Sequence, residues 1–201
     1  MRVQIVNLPW REGVAVSGCS EAAKAAEDSG GRQVFPESPR AREGESPRAT
    51  AANLRPTVVV RGAARWRIDV KPLKAAVMAT LRKAAPHVVG EVAVVLTGDD
   101  EIRRLNKRYR DKDRATDVLS FDVDDGRNAG EPFGDVVVSV ETARRQARAY
   151  GAPLLEEMQR LIVHGTLHLC GYDHHERREA ARMHGLTRRL LRDLKAGGGH
   201  R

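Results

Sequence analysis

Three histidines near the carboxyl end of the chain have a spacing that suits a metal site. His164 and His168 are four residues apart in a segment with helical periodicity, and His174 follows after Gly171. Side chains at i and i+4 lie on one face of a helix, so both rings can reach the same ion. A glycine at a helix end adopts the left-handed conformation that reverses the chain, and this turn can bring His174 to the pair. The spacing therefore predicts a metal site with three nitrogen ligands.

The number of predicted ligands indicates the type of metal site. Structural zinc sites fill all four coordination positions with protein atoms, usually thiolates, whereas catalytic sites leave one position for water or substrate. Cys170 lies two residues beyond His168, on another face of the helix, and is predicted to be a small buried apolar residue. A purely structural site is therefore disfavoured. Three imidazoles suit zinc, and they also suit copper, iron and nickel.

The same spacing occurs in the metzincin peptidases, so proteolysis is the first alternative reaction to consider. Those enzymes carry a glutamate directly after the first histidine, where it acts as the general base. This chain has Gly165 at that position, so the metal-bound water has no neighbouring carboxylate on the helix that could pass a proton to a leaving amine. Hydrolysis of a phosphate ester, which has an alkoxide leaving group, remains open to the predicted metal site.

A run of cations upstream of the histidines predicts a phosphate-binding group. Residues 103–114 contain seven Arg and Lys side chains around the predicted end of a helix, close to a short apolar strand. Most of these side chains are expected to be solvated surface charges. Arg110 follows the last predicted helical turn, where its guanidinium fork can bind two phosphate oxygens at once. We therefore single out Arg110 as the candidate phosphate-binding residue.

Taken together, these segments resemble the YbeY family of bacterial endoribonucleases, which act as rRNA maturation factors. The resemblance rests on Leu105-Asn106, on Tyr109-Arg110, on the sequence TDVLSF at 116–121, on Gly134-Asp135 and above all on HGTLHLCGYDH at 164–174. It extends over about residues 58–195 of the chain.

The resemblance implies a zinc-dependent, single-strand-specific endoribonuclease that acts in late 16S rRNA 3′-end maturation and in ribosome quality control. It implies that His164, His168 and His174 bind one zinc ion, and that Arg110 is the basic residue of the active-site cleft. The implied catalytic residues are Arg110 and His164, and the implied partners are single-stranded RNA, an rRNA precursor and the small ribosomal subunit. A non-catalytic, zinc-containing ribosome assembly factor is the main alternative. The attacking oxygen, from zinc-bound water or from the ribose 2′-hydroxyl, also stays open.

Composition divides the chain near residue 56. The first 56 residues hold five of the nine prolines and show almost no hydrophobic periodicity, which predicts a disordered or non-family extension. Because no methionine occurs between Met1 and Met78, a start assigned too far upstream is a further hypothesis. Residues 57–195 are predicted to form one domain, followed by a flexible tail at 196–201.

Charge and hydropathy favour a polyanionic partner. Residues 57–201 carry 27 Arg and Lys against 20 Asp and Glu, within a whole-chain net charge of +8, and such an excess favours nucleic acid. Because aromatic residues make up only 4% of the chain, backbone electrostatics must dominate any RNA affinity.

The absence of a secretory signal and of a membrane-length apolar stretch, with Cys19 and Cys170 both unpaired, predicts a cytoplasmic protein without membrane contact.

The apolar pattern predicts an α+β fold with α/β-like features, in which a small mixed four-stranded sheet is packed by about five helices. Apolar runs predict strands at 57–63, 91–96, 118–121 and 135–140. Helical spacing and end signals predict helices at 69–86, 99–109, 141–150, 153–169 and 175–195. The segment 122–133, rich in Gly, Asn and Pro, is predicted to be a mobile surface loop near the site. The metal site is expected at the junction of a helix and the turn that follows it.

Overall fold

The structure, a computed structural model, describes residues 55–123, 128–173 and 176–198. Within these ranges the chain forms four strands and six helices in one domain, and the predicted α+β architecture is confirmed. Their order is β1 (Thr57–Arg61), α1 (Ala63–Trp66), α2 (Val70–Ala84), β2 (Glu91–Thr97), α3 (Asp99–Arg110), β3 (Val118–Asp122), β4 (Pro132–Ser139), α4 (Val140–Ala149), α5 (Leu154–Leu169) and α6 (Arg177–Gly198).

The sheet has the strand order β1-β2-β4-β3, with β3 as the one antiparallel strand. All eight residues of β4 and five of the seven in β2 are buried. Burial along nearly the whole length of a strand is typical of parallel strands that are covered on both faces. In β3 the buried residues alternate, with Leu119 and Phe121 buried and their neighbours half-buried, as expected of a strand at the sheet edge.

Helices cover both faces of the sheet. The larger apolar core lies between the sheet and the helices α2, α4, α5 and α6, and it includes Leu73, Leu161 and Val94. A smaller core lies on the opposite face, where Ile102 and Leu105 of α3 pack against β3 and β4. Thus α5 and α3, which carry the predicted site residues, lie on opposite faces of one sheet. None of the described helices combines the length and the apolarity needed to cross a membrane.

The start of α3 is joined to β4 and α4 by the side chain of Asp99. Its carboxylate accepts hydrogen bonds from Ser139 Oγ at 2.5 Å, from Thr142 Oγ1 at 2.7 Å and from Arg145 Nη1 at 2.6 Å. Burial raises the pKa of Asp99, but the hydrogen bonds from Arg145, Ser139 and Thr142 together outweigh burial and lower the pKa to about 2. The junction is therefore built around an ionised carboxylate.

Several predicted boundaries are wrong by a few residues. The first strand ends at Arg61, because Gly62 adopts a left-handed φ of 79° and begins the one-turn helix α1. The fourth strand begins at Pro132, since proline is tolerated at the first position of a strand. The last helix continues to Gly198, beyond its predicted end at 195. The predicted extension lies almost wholly outside the described residues, and so do 124–127 of the predicted loop.

Candidate functional site

The imidazole rings of His164 and His168 meet on one side of α5. Their Nε2 atoms lie 3.2 Å apart, and the ring planes are inclined at 84° with centroids 4.7 Å apart. Two nitrogens bound to one tetrahedral zinc ion at about 2.0–2.1 Å are themselves about 3.3–3.4 Å apart. The two half-buried rings lie on one side of the helix, as the i, i+4 spacing predicts, at a separation close to that of two ligands of a single ion. Their role as metal ligands stays a prediction.

The turn after α5 has the predicted conformation. Gly171 has a left-handed φ of 88°, its N–H donates to His168 O at 2.9 Å, and the N–H of Tyr172 donates to Leu167 O at 3.0 Å. This paired bonding pattern reverses the chain and satisfies the last carbonyl groups of the helix. His174, the third predicted ligand, lies outside the described residues. Among the described residues, no group of three or more His, Cys, Asp or Glu side chains could hold a metal.

Gly165 allows α5 to lie directly on the sheet. A Cβ atom at this position would lie 2.7 Å from Val136 Cγ1, 3.0 Å from Ser120 Oγ and 3.2 Å from Val118 Cγ2. Any side chain there would therefore displace the helix or the strands beneath it. The position directly after His164, where metzincin peptidases carry their glutamate, has no room for a carboxylate in this fold. The packing of Gly165 against the sheet thus disfavours peptidase chemistry on steric grounds as well.

Contacts along α5 show which edge of the sheet carries the histidine pair. Gly165 contacts Val136 in the middle of β4, and Leu169 contacts Gly134 near the start of that strand. The helix therefore runs antiparallel to β4. Its last turn lies at the end of the sheet where β4 begins and β3 ends. The partial negative charge at the carboxyl end of a helix favours a bound cation there.

Arg110 lies at the same edge of the sheet but on the opposite face. It is the last residue of α3, and the preceding Tyr109 packs edge-on against Phe121 near the end of β3, with ring centroids 5.4 Å apart. The guanidinium is exposed, and it forms no ion pair with any residue that the structure describes. The structure thus brings Arg110 and the histidine pair to the same end of the strands. The outermost strand, β3, lies between them.

The loop after Arg110 is held by three side chains of α3. Asn106, which is buried, donates from Nδ2 to Arg114 O at 2.8 Å. The carboxylate of Asp113 accepts from Arg103 Nε at 2.7 Å and from Lys107 Nζ at 3.1 Å, and these hydrogen bonds lower the pKa of Asp113 to about 2. Two cations of the predicted surface run therefore serve to anchor the loop, although both are exposed.

Adjacent residues of β3 connect the strand to the helices on both faces. Ser120 Oγ donates to Gly165 O at 3.0 Å, directly beside His164, whereas Phe121 faces the other way and packs against α3. Ser120 was not predicted to have a role. A polar residue that alternates with buried Leu and Phe was the available signal, because alternation places it on the face toward α5.

A small polar cavity lies beside the turn that follows α5. Its walls come from that turn and from the first residues of α6: Cys170, Gly171, Tyr172, Asp173, Glu179 and Arg182. Cys170 packs against the larger apolar core, but it is half-buried and not buried as predicted. The Arg182 guanidinium lies over the Tyr172 ring, 5.5 Å from its centroid. A basic side chain of α6 thus borders this turn. We call residues 170–173, which directly follow α5, the histidine turn.

Comparison with known proteins places these features in one family. A family profile described as Endoribonuclease YbeY matches residues 64–195. The Endoribonuclease YbeY of Heliobacterium modesticaldum is 46% identical over 114 residues, which cover 51% of this chain and 69% of that protein. The protein of the same name from Gluconobacter oxydans is 39% identical over 145 residues, covering 67% of this chain and 81% of that protein. The match to the Aquifex aeolicus protein of that name reaches 56% identity over 84 residues, covering 42% and 56% of the two chains.

A solved structure also shares the fold. The solution structure of TM1509 from Thermotoga maritima superposes with a TM-score of 0.50 at 26% sequence identity, covering 71% of this chain and 90% of that chain. The family profile spans α1 through most of α6 and includes both helix ends at the candidate site. On the strength of these matches, the chain belongs to the YbeY family.

Proposed function

We propose that this protein is a zinc-dependent endoribonuclease that cuts single-stranded RNA in the cytoplasm, in late 16S rRNA 3′-end maturation and ribosome quality control. The observation that carries the proposal is the 3.2 Å separation of the Nε2 atoms of His164 and His168 in a member of the YbeY family. His164, His168 and His174 would hold the zinc ion. When bound, such an ion supplies Lewis acidity toward a phosphoryl oxygen and lowers the pKa of water to about 7.

Arg110 has the properties of a phosphate-binding side chain. It is exposed, and no carboxylate among the described residues pairs with it, so its donors are available to a ligand. A guanidinium stays charged at any physiological pH and can donate two parallel hydrogen bonds to phosphate oxygens. Because the following loop is anchored by Asn106 and Asp113, the backbone that carries Arg110 is held in place.

The placement of the two groups supports a single-stranded substrate. Arg110 and the histidine pair lie at one edge of the sheet but on opposite faces, with β3 between them. A ligand that contacts both must follow a curved path around the edge strand. A flexible single strand adopts such a path readily, whereas duplexes are stiff, with a persistence length on the order of 50 nm for DNA.

Single-turnover cleavage of an end-labelled single-stranded RNA, by protein purified without a histidine tag, tests the proposal. We expect wild type to contain one zinc ion per chain by elemental analysis and to cut the RNA. His164→Ala should lose zinc and cleavage at an unchanged fold, whereas His87→Ala, at an exposed position after α2, should keep both. Equal cleavage by wild type and His164→Ala would show that a contaminating nuclease is responsible. A wild-type protein without zinc would mean that the 3.2 Å contact is an N–H···N hydrogen bond between the rings.

The Arg110→Ala variant tests the second half of the site in the same assay. Loss of a charge-assisted hydrogen bond of about 1.5–3 kcal/mol should slow cleavage roughly 10- to 100-fold while zinc content stays at the wild-type level. Arg108→Ala, two residues earlier and also exposed, is the matched control and should cleave normally. Zinc loss or unfolding of Arg110→Ala would identify a structural role. Full zinc content without cleavage in wild type would favour the non-catalytic assembly factor.

A further inference from the structure

The outer surface of α6 is strongly basic. The helix buries Met183, Thr187 and Leu190 against the core, so residues about 180° away around its axis face outward. At 100° per residue, this outer face holds Arg178, Arg188, Arg189 and Arg192, with Ala181 and Gly185 between them. All four arginines are exposed.

The positive charge of this face exceeds the charge of its acidic neighbours. From 177 to 195 the helix has two acidic residues, Glu179 and Asp193, among a large excess of basic ones, and both acidic residues lie on one flank at 100° per residue. Lys195, at the far end, pairs with Glu156 of α5 at 2.7 Å. Within the part of the chain that the structure describes, the four outer arginines form no ion pair. Their charge is therefore available to an anionic partner.

The basic face begins beside the histidine turn and leads away from it. Arg182 covers the ring of Tyr172, which directly follows Gly171 in that turn. The ion pair between Lys195 and Glu156 brings the end of α6 to the beginning of α5, so the two helices run antiparallel. From Arg178 to Arg192 the outer face extends about 21 Å at 1.5 Å per residue.

We infer that the outer face of α6 binds the sugar-phosphate backbone of the RNA strand whose scissile bond lies at the histidine turn. The inference rests on the proposed function and extends it to a second surface. Guanidinium groups match phosphate oxygens, and the small side chains between the arginines leave room for a backbone to approach. The apolar face of α6 is buried in the core, so the helix has no hydrophobic surface to insert into a membrane. Binding through phosphates alone predicts no base preference on this surface.

The test compares two double variants of the full chain that remove the same charge from different surfaces. Arg189→Gln/Arg192→Gln alters α6, and Arg144→Gln/Arg148→Gln alters exposed positions of α4. The binding probe is a fluorescein-labelled 2′-O-methyl oligouridylate of about 20 nucleotides, long enough to follow the outer face and keep its phosphates while resisting cleavage. Its anisotropy is followed at several salt concentrations. Single-turnover cleavage of an unmodified RNA, measured at increasing protein concentrations, then gives the protein concentration at half-saturation and the maximal rate as separate quantities.

Counterion release gives the expected size of the effect. For single strands, each phosphate contact contributes about 0.7 to the slope of the logarithm of the binding constant against the logarithm of the salt concentration. Losing two contacts therefore lowers this slope by about 1.4. At about 0.1 M salt the affinity should fall roughly 25-fold. We expect this loss for the α6 variant, in binding and in half-saturation, with an unchanged maximal cleavage rate. The α4 variant should remain close to wild type, within about twofold, because the general field of the protein is screened over about 10 Å at this salt concentration.

The possible outcomes separate this inference from the proposed function. Equal losses in the two variants, or no loss in either, would overturn the role of α6 even if wild type cuts RNA. Binding that depends on α6 without any cleavage by wild type would leave the surface in place and refute the nuclease. Flotation of the protein with phosphatidylglycerol vesicles in an α6-dependent manner, without RNA binding, would overturn the inference and show that the basic face serves a membrane instead.

Discussion

Replacing Gly165 with alanine tests whether α5 lies as close to the sheet as the structure shows. The added Cβ would meet Val136 Cγ1 at 2.7 Å and Ser120 Oγ at 3.0 Å, distances that force the helix or the strands to move. Overpacking of a well-packed interior costs about 1–3 kcal/mol, and alanine recovers about 1 kcal/mol through its higher helix propensity. The net expectation for Gly165→Ala is therefore a loss of stability of up to about 2 kcal/mol.

Gly185→Ala is the matched control, because Gly185 is also helical and a Cβ atom at its position would meet no heavy atom within 4 Å. The propensity gain is common to both variants, so the difference between them isolates the steric cost of about 1–3 kcal/mol. In thermal unfolding this corresponds to a difference in Tm of about 2–12 °C for a domain of this size. Equal Tm values for the two variants would refute the close contact between α5 and the sheet. Lower zinc content in Gly165→Ala alone would further link this contact to the position of His164.

Two further predictions concern the contacts that hold α3 and α5 to the sheet. Because the folded-state pKa of Asp99 is depressed to about 2, its charge stabilises the fold above about pH 4, and this contribution is lost as the pH falls toward about 2. The stability gap between wild type and Asp99→Asn, from urea titrations, should be about 2 kcal/mol at about pH 7 and shrink over that interval; a gap independent of pH would contradict this. Ser120→Ala removes the hydrogen bond to Gly165 O and should cost about 0.5–1.5 kcal/mol in the same titrations, whereas wild-type stability would show that this bond contributes nothing.

Local patterns were sufficient to predict the histidine pair and its turn. The separation of His164 and His168 depends only on helix geometry. A glycine directly after a helix, such as Gly171, commonly adopts the left-handed conformation. The predicted helix 153–169 agrees with α5 to one residue at its start, since Pro153 marks the beginning and Gly171 follows the end. Features that depend only on neighbours in the chain can thus be predicted from the sequence.

The features that depend on tertiary contacts were not accessible in this way. No local pattern shows that β4 inserts between β2 and β3, or that Arg110 and His168 reach one edge from opposite faces. Pro132 resembles a turn residue in isolation, and only its place at the first position of a buried strand explains its tolerance there. The role of Gly165 likewise depends on a tertiary contact, because the side chain of Val136 lies directly beneath it.

The opposite orientations of Ser120 and Phe121 have a consequence for motion at the candidate site. Since one residue holds α5 and the next contacts α3, a thermal displacement of β3 carries both helix ends in the same direction. The distance between Arg110 and the imidazoles should then fluctuate less than the distance from either group to β1, the strand at the other side of the sheet. We therefore expect this edge strand to limit changes in the spacing between the two groups, since it contacts both helices.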